Sequence, residues 1–202
     1  MTDQRILAIE PLTPDRLPDL ASLFEGGGDP KWCWCAYYRV RSTDFSKASK
    51  SRHRGVMEGT VVENARDGRA PGLVAYDGDE AVGWISIGPR EDYERLAHSK
   101  VLAPVDEKPV WSIVCFVVGR RARGRGVAKA LLQAGIGYAR KHRARTLEAY
   151  PVEVPAGGRI PSADVYRGTL SMFESAGFEV VARREVPGGR TPRPIVRLDL
   201  RS

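Results

Sequence analysis

The chain has little of what disulfide frameworks and metal centres require. It contains three cysteines and three histidines in 202 residues. Because the cysteine number is odd and no export signal accompanies it, we expect reduced thiols. Cys33 and Cys35 stand one residue apart, whereas zinc sites favour two intervening residues and a second ligand pair. We therefore expect no metal cofactor.

Long hydrophobic runs are also missing. No stretch approaches the roughly 18 apolar residues of a membrane span, and the N-terminal residues lack the apolar centre of a signal peptide. There are no internal repeats and no low-complexity tract. We expect a cytoplasmic protein without a membrane partner, folded as a single domain over residues 1–202, a length that can bury a full core.

The net charge of the chain is strongly positive. A formal charge of +7 and a pI near 9.5 permit anionic partners, either nucleic acid or a smaller anion. The most basic helical stretch, residues 46–66, contains none of the stacking aromatics that single-strand binders use. This pattern favours a solvated helix face and argues against nucleic acid.

Residues 111–152 contain a strand, a turn, a helix and a second strand. Residues 113–118 are apolar and β-branched, which is typical of a buried strand. After a basic turn, Val127, Leu131, Ala134 and Tyr138 recur at helical spacing. Residues 146–152 then predict the second strand.

The turn before this helix has the chemistry of an anion site. The first N–H groups of a helix have no intrahelical partner and lie at the positive end of its dipole. Small residues at Gly124, Gly126 and Ala128 let a phosphate approach the main chain, and Arg123 and Arg125 add positive charge. A tight turn with solvated arginines is the alternative, but the flanking strand and helix favour phosphate.

Two other phosphate loops do not match. A dinucleotide fingerprint, Gly-x-Gly-x-x-Gly, requires glycine five positions after Gly124, where the chain has Lys129. A loop ending in Gly-Lys-Ser/Thr occurs nowhere in the sequence. Neither of these two phosphate loops is supported by the sequence.

Arg-x-x-Gly-x-Ala, formed by Arg123, Gly126 and Ala128, resembles motif A of the GNAT superfamily, the GCN5-related N-acetyltransferases. The resemblance implies acetyl-CoA as co-substrate, with its pyrophosphate on the turn and its pantetheine arm along the preceding strand. The cofactor-binding residues expected from it are Phe116, Val117, Val118, Arg123, Gly124, Arg125, Gly126, Val127, Ala128 and Tyr166.

The order of predicted elements agrees with this family from about residue 4 to residue 200. The remaining predicted elements are a strand at 4–9, helices at 17–24 and 46–66, a hairpin at 72–76 and 81–87, a connection at 91–109 covering the ligand, a loop at 155–161, a helix at 163–176 and strands at 178–183 and 195–200. We expect an α/β, GNAT-like fold with a mixed, mostly antiparallel central sheet flanked by helices on both faces.

The resemblance implies transfer of an acetyl group to a primary amine, by direct attack in a ternary complex, and a small-molecule amine is the expected acceptor. The sequence departs from the family at three positions. Phe173 stands where many relatives have the tyrosine that protonates the CoA thiolate, Tyr166 replaces an asparagine, and Ser112 replaces a glutamate base.

Three alternatives follow from these departures. Tyr166 supplies the acid, Ser112 relays the amine proton through water, or the chain is a non-catalytic acyl-CoA-binding or regulatory module. Glu148 and Tyr150, at the end of the second strand, are further candidates for proton transfer.

The segment at 31–39 is rich in aromatic and sulfur side chains, including Trp32, Trp34 and Tyr37. These side chains either form core or line an apolar acceptor site, which in the family borders this connection. Cys115, in the predicted central strand, is expected to be a small core residue, not a nucleophile. A homodimer is a further option because many relatives dimerise.

Overall fold

The computed structural model describes residues 7–154, 166–188 and 191–201. Within these residues, seven strands form one sheet in the order β1-β2-β3-β4-β5-β7-β6. The strands are β1 Ala8–Pro11, β2 Gly72–Asp77, β3 Glu80–Pro89, β4 Trp111–Val118, β5 Thr146–Ala149, β6 Glu179–Arg184 and β7 Arg193–Asp199. Among these described strands, β4 and β5 are the parallel pair and the other neighbours are antiparallel.

The helices lie on both faces of this sheet. They are α1 Leu17–Glu25, α2 Pro30–Cys33, α3 Ser42–Lys47, α4 Lys50–Arg66, α5 Glu94–Ala97, α6 Val127–Lys141 and α7 Leu170–Glu174. One core packs α6 and α7 against β3 and β4, with Leu131 and Ile85 fully buried. The other packs α1 and α4 against the opposite face, around Phe24 and Trp84. The expected mixed, mostly antiparallel sheet with helices on both faces is confirmed.

A β-bulge in β4 shapes the centre of the sheet. Ser86 of β3 pairs with Cys115, but the next residue, Ile87, pairs with Ile113, so Val114 is the extra residue in β4. A bulge re-aims side chains that would otherwise alternate between faces. Val114 and Cys115 both contact the core beneath α1 and α4, while Ile113 and Phe116 contact the core beneath α6.

Four predicted elements differ from the structure by more than two residues at one end. The strand expected at 146–152 is β5, which ends at Ala149. The helix expected at 46–66 is two helices, because Ser49 is extended and its hydroxyl accepts from the Arg52 N–H to begin α4. The strand expected at 4–9 is β1, Ala8–Pro11, although residues 4–6 lie outside the described part. The helix expected at 163–176 is α7 alone in the described residues, since Gly168 adopts a φ of +74° and Thr169 caps the helix.

The predicted loop at 155–161 lies outside the described residues. The connection at 91–109 adds no strand among the residues described and contains α5. Tyr93 and Leu96 anchor it in the core. Within the described part of the chain, no helix has the length and apolar character needed to cross a membrane.

Candidate active site

The central sheet opens between its two parallel strands. The pairing of β4 with β5 runs from Trp111–Leu147 to Ile113–Ala149 and then ends, although β4 continues to Val118. Beyond β5, Val152 exchanges backbone hydrogen bonds with Gly168 (3.0 Å) and Leu170 (2.8 Å). The segment at 166–170 therefore lies across a gap from the end of β4. The backbone edge of β4 in this gap has no partner in β5 and is available to an extended ligand.

The gap leads into a cleft of about 610 Å³ that ends at the N-terminus of α6. We call it the cofactor cleft. Its described lining residues are Phe116, Val118, Ala122, Arg123, Gly124, Gly126, Val127, Ala128, Lys129, Tyr166, Gly168, Thr169 and Met172. They combine apolar walls along β4 and α7 with a glycine-rich, basic floor at the turn.

The turn itself fits an anionic group. Gly124 and Gly126 have φ values of +75° and +79°, which side-chain-bearing residues rarely adopt. No heavy atom lies within 4 Å of where a Cβ would stand on either glycine, so the main chain there is open to a ligand. The N–H groups of the first turn of α6 and its positive dipole end meet this opening. These are the features that hold a pyrophosphate.

A second cavity, of about 460 Å³, adjoins the cleft on the side of the aromatic segment. We call it the acceptor cavity. Its described lining residues are Asp29, Pro30, Trp32, Cys33, Cys35, Tyr37, Tyr38, Phe45, Ala48, Lys50, His53, Val114, Cys115, Tyr166 and Arg167. Phe45 packs edge-on against Tyr37 (5.3 Å between centroids) and stacks on His53 (4.2 Å). The walls are therefore mainly apolar and aromatic.

Tyr166 lines both cavities and stands where they meet. Its hydroxyl accepts a hydrogen bond from the backbone N–H of Asp29 at 3.3 Å. Burial is the main cause that raises the pKa of Tyr166 above its ordinary value. Its hydroxyl therefore remains protonated at neutral pH and can donate a proton between the two cavities.

The comparisons with known proteins agree with this geometry. The sequence model of the acetyltransferase (GNAT) family matches residues 32–167. The chain belongs to the GNAT acetyltransferase family. No curated protein is significantly similar to it.

Solved structures with the GNAT fold cover nearly the whole chain. An N-acetyltransferase from Staphylococcus aureus Mu50 is 15% identical, with a TM-score of 0.55 over 97% of this chain and 99% of that one. The yncA protein from Salmonella typhimurium, solved with its cofactor acetyl-CoA, is 17% identical, with a TM-score of 0.54 over 96% and 94%. The ribosomal-protein-S18-alanine N-acetyltransferase from Escherichia coli is 14% identical, with a TM-score of 0.52 over 96% and 94%. At these identities the likeness concerns the fold.

Most cofactor residues predicted for this GNAT acetyltransferase lie on the cofactor cleft. Phe116, Val118, Arg123, Gly124, Gly126, Val127, Ala128 and Tyr166 line it. Two predicted residues have side chains that lie elsewhere. The side chain of Val117 is buried in the core on the opposite face, because side chains alternate along a strand, which leaves its backbone for the expected contact with the pantetheine arm. Arg125 turns to the β2–β3 hairpin, where it pairs with Asp77 at 2.9 Å. No sequence motif indicated Gly168 and Thr169, which line the cleft beside the bridge with Val152.

The aromatic segment divides between the acceptor cavity and the core. Trp32, which is 64% exposed, and Tyr37 line the cavity. Trp34, predicted with them, lies in the core, where its ring packs edge-on against Phe24 with centroids 5.5 Å apart. Asp29 was not predicted, yet it is the one carboxylate among the described residues that line this cavity.

The candidate proton carriers other than Tyr166 belong to a buried network. Ser112 is fully buried and its Oγ is 3.0 Å from the hydroxyl of Tyr150. That hydroxyl donates to Glu148 at 2.6 Å, and Glu148 accepts from Arg90 and Arg197, each at 2.8 Å. Neither Ser112 nor Glu148 is among the described residues lining the two cavities. Their hydrogen bonds hold β4, β5 and β7 together.

Phe173 lies in the core, away from the two cavities. Phe173 is fully buried between Phe116 and Phe178, with centroid distances of 6.0 and 5.0 Å.

Cys35 and Cys115 approach to 3.5 Å between sulfurs at the wall of the acceptor cavity. Burial raises the pKa of Cys33 to about 12, which disfavours its nucleophilic thiolate. In the described part of the chain, no three histidine, cysteine or acidic residues are grouped to hold a metal ion.

Proposed function

We propose that this protein transfers an acetyl group from acetyl-CoA to a primary amine of a small molecule by direct attack in a ternary complex. The observation that carries the proposal is the meeting of two cavities at one protonated tyrosine, Tyr166. Because the cavities are separate but adjoining, cofactor and acceptor can bind at the same time. An acceptor space of about 460 Å³ is in the range of small-molecule sites.

One group of residues would bind the cofactor, and another would transfer protons. Gly124, Gly126 and the first turn of α6 would hold the pyrophosphate, with Arg123 and Lys129 supplying positive charge beside it. The unpaired edge of β4 would hold the pantetheine arm. Acetyl-CoA, when bound, supplies a thioester whose carbonyl carbon the amine can attack.

Proton transfer needs one group that gives and one that receives. Tyr166 holds a proton at the junction of the cavities, where the departing sulfur requires one. Asp29 is the one carboxylate among the described residues that line the acceptor cavity, and its backbone N–H binds the Tyr166 hydroxyl. Asp29 would attract the ammonium form of the acceptor and receive its proton through water.

A non-catalytic acyl-CoA-binding module is the second candidate. Its supporting observation is that Phe173 and Ser112 occupy the positions of the family's usual acid and base, and both are buried away from the cavities. Turnover of acetyl-CoA with an amine at enzymatic rates would exclude this candidate. Tight CoA binding with no turnover across a broad amine panel would favour it.

The first experiment is calorimetric titration of CoA and acetyl-CoA into wild type, Gly126→Glu and Gly68→Glu. Position 126 faces the cleft, so a glutamate there blocks and repels the pyrophosphate. Gly68 has a comparable φ of +67° and equally open surroundings but lies at the end of α4, so it controls for backbone strain and charge. We expect binding to wild type and Gly68→Glu and its loss in Gly126→Glu. Equal binding by all three proteins would contradict the placement of the cofactor.

A further inference from the structure

A third cavity, of about 320 Å³, adjoins the acceptor cavity, and Tyr166 is not among its described lining residues. We call it the basic cavity. Its described lining residues are Tyr37, Tyr38, Ser42, Arg95, His98, Ser99, Val101, Leu102, Arg167, Val186 and Arg193. Tyr37, Tyr38 and Arg167 line both this cavity and the acceptor cavity, so the two spaces share one wall.

Positive charge is concentrated at the basic cavity. Among its described lining residues the basic cavity has three arginines and a histidine and no carboxylate. The acceptor cavity has one carboxylate among its described lining residues, Asp29, whose backbone N–H binds the Tyr166 hydroxyl. Its basic lining residues are Lys50, which is paired with Glu25 at 2.6 Å, His53, and Arg167, which it shares with the basic cavity. The rest of its lining is mainly apolar and aromatic, so a molecule that extends from Asp29 into the basic cavity meets an acidic group, apolar side chains and then the cationic end formed by the three arginines.

The cationic end is preorganised. Arg95 lies over the ring of Tyr37, 3.8 Å from its centroid, and its Nε donates to the carbonyl of that residue. Arg193 donates to the carbonyl of Pro151 at 3.2 Å. Each of these contacts orients a planar guanidinium group, which carries five N–H donors. Arginine forks in this arrangement match the geometry of carboxylate and phosphate groups.

Tyr38 gives a second, independent observation. It lines both cavities, is 6% exposed, and its hydroxyl has no hydrogen-bond partner within the described part of the protein. The guanidinium of Arg167 stands 5.9 Å from its ring centroid. A buried hydroxyl without a partner is costly, and it is the kind of group that a bound ligand completes.

We propose, resting on the function proposed above, that the acetyl acceptor is an amine with an apolar or aromatic body and an acidic group at its far end. The amine lies beside Asp29 and Tyr166, the body fills the acceptor cavity, and the acidic group binds at Arg167 in the basic cavity. Asp29 and Arg167 then contact the two charged groups of one acceptor.

The test uses matched acceptors that differ only at the far end. Steady-state acetylation is measured with 4-(aminomethyl)phenylacetate, its uncharged primary amide, and the corresponding phosphonate. Wild type is compared with Arg167→Gln, which keeps a polar side chain but removes the charge, and with Arg183→Gln. Arg183 pairs with Glu153 on the surface, outside the residues that line the three cavities, so it controls for the change in net charge.

We expect kcat/KM to favour one of the two acids over the amide by about tenfold or more, as hydrogen bonds to a charged group provide. Arg167→Gln should abolish that preference and Arg183→Gln should keep it. Preference for the carboxylate or for the phosphonate identifies the acidic group. Equal rates for acids and amide, or a preference unchanged in Arg167→Gln, would overturn the proposal.

A failure of the proposed function remains distinguishable from a failure of this inference. If no acceptor is acetylated, the same acids and amide are titrated into CoA-saturated protein by calorimetry. Tighter binding of an acid that is lost in Arg167→Gln supports the acidic-group site even without turnover. Equal or undetectable binding of all three acceptors overturns it.

Discussion

Replacing Glu148 by alanine tests whether the buried network is structural. The carboxylate is fully buried, and its two oxygens accept from Arg90, Arg197 and Tyr150 at 2.6 to 2.8 Å. The side chains of the two arginines are only 13% and 11% exposed. Alanine would therefore leave two positive charges in a poorly solvated space without the carboxylate between them.

The expected loss is about 3–5 kcal/mol of the free energy of unfolding, the usual effect of removing one partner from a buried ion pair. Three remaining contacts keep the loss from being larger. Arg197 retains Asp106 at 2.8 Å, and Arg90 retains the carbonyls of Leu96 and Leu102. Because a domain has only about 5–15 kcal/mol in total, the variant should still fold but with a much lower denaturation midpoint.

Urea denaturation followed by fluorescence measures this loss against a matched control. Glu153→Ala removes a carboxylate whose partner, Arg183, is 43% exposed, so its effect should stay within about 0.5 kcal/mol. The acetylation rate of folded Glu148→Ala should stay near that of wild type. A destabilisation below about 1 kcal/mol together with lost turnover would refute the structural role and make Glu148 a proton carrier.

Two further predictions concern the reaction and the longest central helix. Tyr166→Phe should lower kcat about a hundredfold or more with little change in the KM for acetyl-CoA. Because the pKa of Tyr166 is raised above its ordinary value of 10, its hydroxyl stays protonated at neutral and mildly alkaline pH. The rate of the wild type should therefore show no decline between pH 7 and 9 that comes from this group. A decline in that range that disappears in the variant would contradict the raised pKa. In α6, Gly137→Ala should raise the free energy of unfolding by about 0.5–1 kcal/mol, since its Cβ meets no atom within 4 Å. Gly135→Ala should give no such gain, because its Cβ would stand 3.1 Å from the Ile85 side chain; equal gains at both positions in thermal denaturation would count against this packing argument.

Features that depend on neighbouring residues were predictable from the sequence. The strand, glycine turn and helix around Gly126 form one continuous stretch, and the chemistry of a helix N-terminus is local. The hairpin of β2 and β3 is equally local. For this reason the fold and the cofactor cleft could be predicted from periodicity together with motif A.

Features that depend on distant or irregular backbone could not be predicted. Trp34 and Cys35 both have left-handed backbones, with φ values of 47° and 52°, so no periodic pattern shows which aromatic side chains face the cavity. The bulge at Val114 likewise sends two consecutive side chains to one face. The two arginine partners of Glu148 come from positions 58 and 49 residues away along the chain.

The position of Tyr166 depends on one such irregularity. A continuous helix over 163–176 would place residues 166 and 173 two turns apart on the same face, both toward the core. Instead Gly168 has a φ of +74°, and a Cβ there would stand 2.7 Å from the Met172 side chain and 3.0 Å from Phe173. Glycine therefore lets the chain turn where another residue would be both strained and crowded. Phe173 stays in the core, whereas Tyr166 lies across the gap from β4. The usual position of the family's acid therefore has no hydroxyl, but the hydroxyl of Tyr166 lies at the junction of the two cavities.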